Sequence, residues 1–325
     1  MKSHESYDDK FTSILNDGLL WIDVRNPTRE KMFNLGRKYS FHELNIEDCL
    51  SKIQIPKIDK YEDHVFVTLH FPAGSSNGSK IPRISQLSIF IGSNYLITVH
   101  QGDLKPLAEM FDLCKKEQNK EYRQIMMGRS SGYLLHTIID ALVDDLFHIL
   151  MKVIGNLDDI EDAVYDEKAA IAREISLLRR EITTMRRVLI PLKRIIVSLT
   201  RDIQKFSEED LTPYFDDIKD HIDKVLDSLE ESKETIEIYK DTDFMLSTEK
   251  TNKIIAILTV MFTLSIPITI ISTIYGMNIS LPGSDLKFLG SYTTLIILLI
   301  ISVALTITMF LYFRTLGWIG GFSRL

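Results

Sequence analysis

Residues Ile254 to Asn278 read IIAILTVMFTLSIPITIISTIYGMN. The part from Ile254 to Ile274 carries no charge, and about 21 residues at 1.5 Å rise span roughly 31 Å, enough to cross a bilayer core. A second uncharged run, Leu295 to Phe313, follows. The two spans and the loop between them predict a membrane hairpin. The first span holds more than lipid requires: Thr259, Thr263, Ser265, Thr269, Ser272 and Thr273 are hydroxyls in an otherwise apolar helix. In lipid such groups face other helices or a wet cavity.

Composition bounds the rest of the chain. Of 325 residues 45% are hydrophobic and 26% charged, and the two classes are segregated, which leaves one sizeable soluble region ahead of the hairpin. A net charge of −7 argues against a nucleic-acid partner, which would call for a basic face. The first residues, Met1 to Ser6, lack the basic patch and apolar core of a signal peptide, so the soluble region is expected in the cytosol. Lys250 and Lys253 precede the first span and Arg314 and Arg324 follow the second, whereas the connecting loop has only Lys287. By the positive-inside rule both chain ends are cytoplasmic. Cys49 and Cys114 are read as two buried thiols in a reducing compartment.

Taken in order, the chain predicts an α+β protein. Leu19 to Val24 is a strand, and Arg25-Asn26-Pro27-Thr28 is a turn with helix-start chemistry. Val65 to Phe71 and Leu87 to Ile91 are β-branched and aromatic runs on either side of a Gly/Ser/Asn loop, Gly74 to Ser79. Gly92-Ser93-Asn94 turns the chain into a further strand, Tyr95 to His100, making a hairpin. Asp48, Asp59 and Glu62, scattered beside this sheet, read as a solvated rim rather than a metal cluster.

From about Asp103 the pattern turns helical. Leu134, Ile138, Leu142, Leu146, Leu150, Val153 and Leu157 mark one long amphipathic helix. A second, roughly Ala169 to Lys205, carries Arg179, Arg180, Arg186, Arg187, Lys193 and Arg194, a basic stripe expected to meet acidic helices within or between subunits. Pro213 suits a first helical turn, with Thr212 as its cap. No Pro or Gly follows until Pro267, so one continuous helix is expected from about Pro213 to Tyr275, on the order of 95 Å long. Its cytosolic half has a heptad-like seam, Ile218, Ile222, Val225, Leu229, Ser232, Ile236 and Tyr239, which it cannot bury alone.

Enzyme chemistry is not visible. The eight histidines are dispersed, and there is no His-Glu-x-x-His, phosphate-cradling Gly-rich loop or Cys-x-x-Cys. On the first span, Asn252, Ile255, Leu258 or Thr259, Phe262, Ile266, Thr269 and Thr273 fall on one helical stripe. If several copies stood around an axis with this stripe inward, they would form a tube with polar rings at its ends and apolar rings between. The alternative is a packed hairpin whose hydroxyls bond to backbone carbonyls.

Tyr275-Gly276-Met277-Asn278, closing the first of two C-terminal spans after a large soluble region, resembles the Gly-Met-Asn signature of the CorA family of magnesium transporters. The likeness extends to Pro267 and Thr269, to Trp21-Ile22-Asp23 with Pro27, to His42-Glu43-Leu44 with Glu47-Asp48, to Pro56 to Asp59 with Tyr61, and to Ile139 to Asp145.

The resemblance implies a cytosolic α/β domain (1–120), a long-helix stalk (121–250), a stalk-continuous span ending in Gly-Met-Asn (251–278), an outer loop (279–291), a second span (292–314) and a cytosolic tail (315–325). It implies a homopentamer in cytoplasmic-membrane lipid, carrying hydrated Mg²⁺, with Co²⁺ and Ni²⁺ as further candidates, and no organic cofactor. Gly276, Met277 and Asn278 would be the outer selectivity filter. Asn252 and Thr269 would be inner polar rings, and Ile255, Leu258 and Ile266 a hydrophobic constriction.

Amide and carbonyl oxygens suit an ion that sheds its waters reluctantly, because they recognise it through its hydration shell. Asp217 matches a position that binds regulatory divalent ions, and the surrounding acidic helix would repel its copies unless a cation lay between them. The family's partner carboxylate is missing, since Gly74 to Gln86 contains no Asp or Glu, and the outer loop offers only Asp285 before Lys287. A zinc transporter of the same superfamily and a non-transporting membrane-anchored sensor are the competing readings.

Overall fold

The computed structural model describes residues 11–51, 54–73, 82–164, 171–277 and 293–318. It divides into two compact units, Met1–Lys240 and Asp241–Leu325.

The first unit opens with a six-stranded sheet, β1 (Thr12–Asn16), β2 (Leu19–Arg25), β3 (Lys57–Lys60), β4 (His64–Ala73), β5 (Arg83–Gly92) and β6 (Tyr95–His100), in the order β1-β2-β6-β5-β4-β3. Only the β2 and β6 pairing is parallel; β5 and β6 form the expected hairpin, with Ile91 opposite Leu96. Alternation along the strands divides the core in two. Trp21, Val65, Val67, Leu69, Ile89 and Leu96 face the long helices, whereas Ile22, Val24, Phe66, Phe90, Ile97 and Val99 pack with α1 (Arg29–Tyr39) and α2 (Glu43–Leu50) on the other side. Thr28 caps α1 as the sequence suggests, its side chain accepting from the Lys31 amide. The Gly74 to Ser79 loop lies outside the described residues.

Asp48 and Asp59 belong to an ion-pair network: the Lys57 ammonium stands 2.7 Å from each. Asp48 is more covered than the solvated rim expected of it, its side chain 15% exposed against 32% for Asp59.

Helices α3 (Lys105–Lys115) and α4 (Lys120–Met127) lead into α5 (Ser131–Val164), α6 (Ala172–Ile203) and α7 (Thr212–Tyr275). The apolar seam foreseen on α7 is buried, with Ile218, Ile222, Val225, Leu229 and Ile236 fully covered. Thr212 is not the cap but the first helical residue, and its amide donates to the Asp210 side chain 2.9 Å away. The correction has a simple cause: Asp210 stands two residues earlier, where a carboxylate can accept from the free amides that open the helix.

The basic stripe of α6 finds part of its match inside the chain. Arg179 pairs with Glu237 at 2.8 Å, Arg186 with Glu230, and Lys193 with Asp223. Numbers rise along α6 as they fall along α7, so the two helices run antiparallel.

In the second unit α7 continues to Tyr275, and α8 spans Thr293–Thr315. Both helices are long and apolar enough to cross a membrane.

Candidate functional site

Two groups of residues carry the functional expectations: the first span with its closing motif, and an acidic cluster in the first unit.

On the span, the least exposed positions are Ala256, Ile257, Val260, Thr263, Leu264, Pro267, Ile271 and Ile274, which recur at helical spacing and define its covered face. The stripe of Asn252, Ile255, Leu258, Phe262, Ile266, Thr269 and Thr273 lies on the opposite face, and every one of these residues is exposed in the single chain. Phe262 is 68% exposed and Ile255 55%. A row of large apolar side chains so uncovered marks a surface meant for lipid or for another subunit.

The hydroxyls are satisfied locally. Thr259 donates to the Ile255 carbonyl, Thr263 to Thr259, Thr269 to Ser265 and Thr273 to Thr269, at 2.7–2.9 Å. This is the bonding foreseen for the packed hairpin, and it is compatible with a wet stripe. A hydroxyl that gives its proton to its own helix keeps lone pairs that can accept from water.

The helix ends at the motif. The Gly276 amide donates to the Ser272 carbonyl at 3.0 Å, and Met277 to Ile274 at 3.4 Å. Gly276 does not adopt the left-handed conformation common at helix ends, so its value is space: a Cβ there would meet the Ser272 carbonyl oxygen at 3.2 Å. Asn278 lies outside the described residues, as does the outer loop 279–291.

In the first unit, Asp217 sits beside a group that the sequence did not expose. Asp140 and Asp144, one turn apart on α5, and His221 of α7 bring a carboxylate or imidazole atom each to within 4.8 Å of one another. His221 Nε2 lies 3.8 Å from Asp217. Burial and then the neighbouring Asp144 carboxylate push the Asp140 pKa above its ordinary value, with Asp217 adding in the same direction against the opposing His221. A buried carboxylate whose proton affinity is raised by carboxylate neighbours is the arrangement a divalent cation relieves. Each pair shows an i,i+4 spacing on its own helix, but which turns of α5 and α7 face each other is a tertiary fact that spacing cannot supply.

The donor set fits a divalent ion. Two or three carboxylates would suit Mg²⁺, which keeps several waters, and the imidazole adds a ligand better suited to Co²⁺, Ni²⁺ or Zn²⁺.

Comparison with known proteins places these features in context. The family model described as CorA-like Mg²⁺ transporter protein matches residues 16–314. The cobalt/magnesium transport protein CorA of Thermotoga maritima is 28% identical over 92% of this chain and 83% of its own length. Among solved structures, the complete CorA magnesium transporter from Methanocaldococcus jannaschii has a TM-score of 0.77 at 24% identity, covering 98% of this chain and 95% of that one. The full-length CmaX protein has a TM-score of 0.72 at 19% identity, covering 92% and 89%. These two structures establish the fold.

Proposed function

The chain belongs to the CorA-like Mg²⁺ transporter family, and from that premise we propose that it carries hydrated Mg²⁺ across the cytoplasmic membrane through a pore shared by identical copies, most simply five. The observation that carries this reading is the exposure of the whole stripe from Asn252 to Thr273 on the face of α7 opposite its covered side. Copies arranged with that face inward would set Asn252 and Thr269 as polar rings around apolar rings of Ile255, Leu258 and Ile266.

In this arrangement Asn278, with the backbone carbonyl of Gly276, receives the ion with its waters still attached. An amide ring binds weakly enough to release it inward. The apolar rings block the path by dewetting when the helices close, and a small outward tilt rehydrates it. A membrane potential of 100 mV, negative inside, supplies about 4.6 kcal/mol per divalent ion, so uptake needs no coupled fuel. Both chain ends lie in the cytosol.

Cytosolic divalent ions close the pore by binding at Asp217 together with Asp140, Asp144 and His221. An ion there would neutralise crowded carboxylates and fix α7 against α5. The His221 imidazole favours Co²⁺ or Ni²⁺ over Mg²⁺ as the tightest ligand at this regulatory site.

The test is ion flux into liposomes holding the purified protein, with Mg²⁺, Co²⁺, Ni²⁺ and Zn²⁺ in competition. Mg²⁺ uptake that the other ions inhibit supports the reading. Uptake of Zn²⁺ with no Mg²⁺ flux would move the protein to zinc transport, and no flux of any ion would favour a membrane-anchored sensor.

A further inference from the structure

We infer that the outer basic row of α6 docks against the outer acidic row of α7 in a second copy of this chain. The inference rests on the proposal that copies assemble, and it adds which cytosolic surface joins them.

Cations on α6 fall into two rows. Arg179, Arg186 and Lys193 recur every seven residues and are paired within the chain. One position further on, about 100° around the helix, Arg180, Arg187, Arg194 and Arg201 recur at the same interval. All four are exposed, and none has an ion pair among the described residues.

The acids of α7 show the same division. Asp223, Glu230 and Glu237 take the inner row of α6. Asp220, Asp227 and Glu234 form a second heptad row, exposed throughout. Asp220 pairs with Lys219, its neighbour in sequence, and feels Lys224 one turn on, while Asp227 and Glu234 have no ion pair among the described residues. Two rows with one period can be matched along their length by a single register, with charges about 10.5 Å apart on each helix.

An apolar groove runs beside the basic row. Ile190 and Val197 of α6 and Leu226 of α7 line a groove with Lys193 and Arg194, and Val197 is 53% exposed. An apolar seam flanked by complementary charges is how helices choose a helical partner and its register. A phosphate-bearing partner would satisfy the arginines but neither the seam nor the acids beside it, and the chain's net charge of −7 opposes a polyanion. The partner best matched in sign, spacing and apolar content is the same pair of helices in another copy. Because the basic and acidic rows are different surfaces, their contact is head-to-tail, the kind that closes into a ring when the rotation allows.

The experiment follows the subunit number of the full-length protein in detergent by mass measurement over a dilution series. R187E/R194E and D227R/E234R are each expected to raise the concentration of half-dissociation about tenfold or more, since each sets like charges face to face. R187Q/R194Q, which only removes charge, should move it less and in the same direction, with helical circular dichroism unchanged. The fourfold variant R187E/R194E/D227R/E234R should return to the wild-type value. Reversals that leave dissociation unchanged, or a fourfold variant no better than its halves, would overturn the inference and leave the pore reading standing. So would loss of a bound anionic lipid with no change in subunit number. A monomeric wild type would overturn both.

Discussion

His221 and Asp144 face each other across two helices, with the imidazole Nδ1 3.6 Å from a carboxylate oxygen. Their contact ties α5 to α7 at the level of Asp217, on the helix that continues into the first span. An ion held there would act on the helix proposed to line the pore.

Replacement of His221 by Ala should weaken Co²⁺ and Ni²⁺ binding by about tenfold or more, while Mg²⁺ binding changes less, because the lost ligand is nitrogen. Calorimetric titration of the full-length protein with each metal measures the difference. Equal losses for all three ions would remove the imidazole from the site.

Asp140 makes stability depend on pH. Its folded pKa is raised, chiefly by burial and by Asp144, so the native state holds this proton more tightly than the unfolded chain. Stability is therefore lost as pH rises from the ordinary aspartate range through the raised value. With chelator present, Asp140→Asn should flatten this slope and raise the neutral-pH thermal midpoint by about 2 °C. The same variant should lose most of the stabilisation that added metal gives the wild type. A midpoint that falls would contradict the crowding of charge at this site.

Apolar burial holds α7 to the core of the first unit more strongly than its ion pairs with α6 do. Arg186 and Glu230 are partly exposed, so their double-mutant cycle should yield a coupling of about 1 kcal/mol or less. Ile222 is fully buried, and Ile222→Ala should cost about 2–4 kcal/mol. Denaturant unfolding of the four variants compares the two contributions.

Thr269→Val keeps shape and removes one hydroxyl whose donated bond goes only to the Ser265 carbonyl. The helix should persist, and Mg²⁺ flux into liposomes should fall severalfold if the oxygen meets a hydrated ion. Unchanged flux would take Thr269 out of the pathway.

The sequence was informative wherever a pattern is local. Uncharged runs, the lack of Gly or Pro from Tyr214 to Ser265 and the seam at Ile218, Ile222 and Val225 made α7 readable almost to its ends. Short edge strands were harder: β1 and β3 have five and four residues, too few for alternation to rise above a loop. Arg186 and Glu230 were each conspicuous by charge, but their pairing needs the antiparallel register of α6 and α7. The cluster of Asp140, Asp144 and His221 stayed hidden for the same reason, since its members lie some 80 residues apart along the chain.

The central claim is that Asn278 and the stripe below it guide a hydrated divalent ion. Mg²⁺ flux into liposomes containing Asn278→Ala protein, at equal reconstituted amount and subunit number, tests it most directly. The account predicts that flux falls to near the rate of empty liposomes. Flux equal to wild type would contradict it.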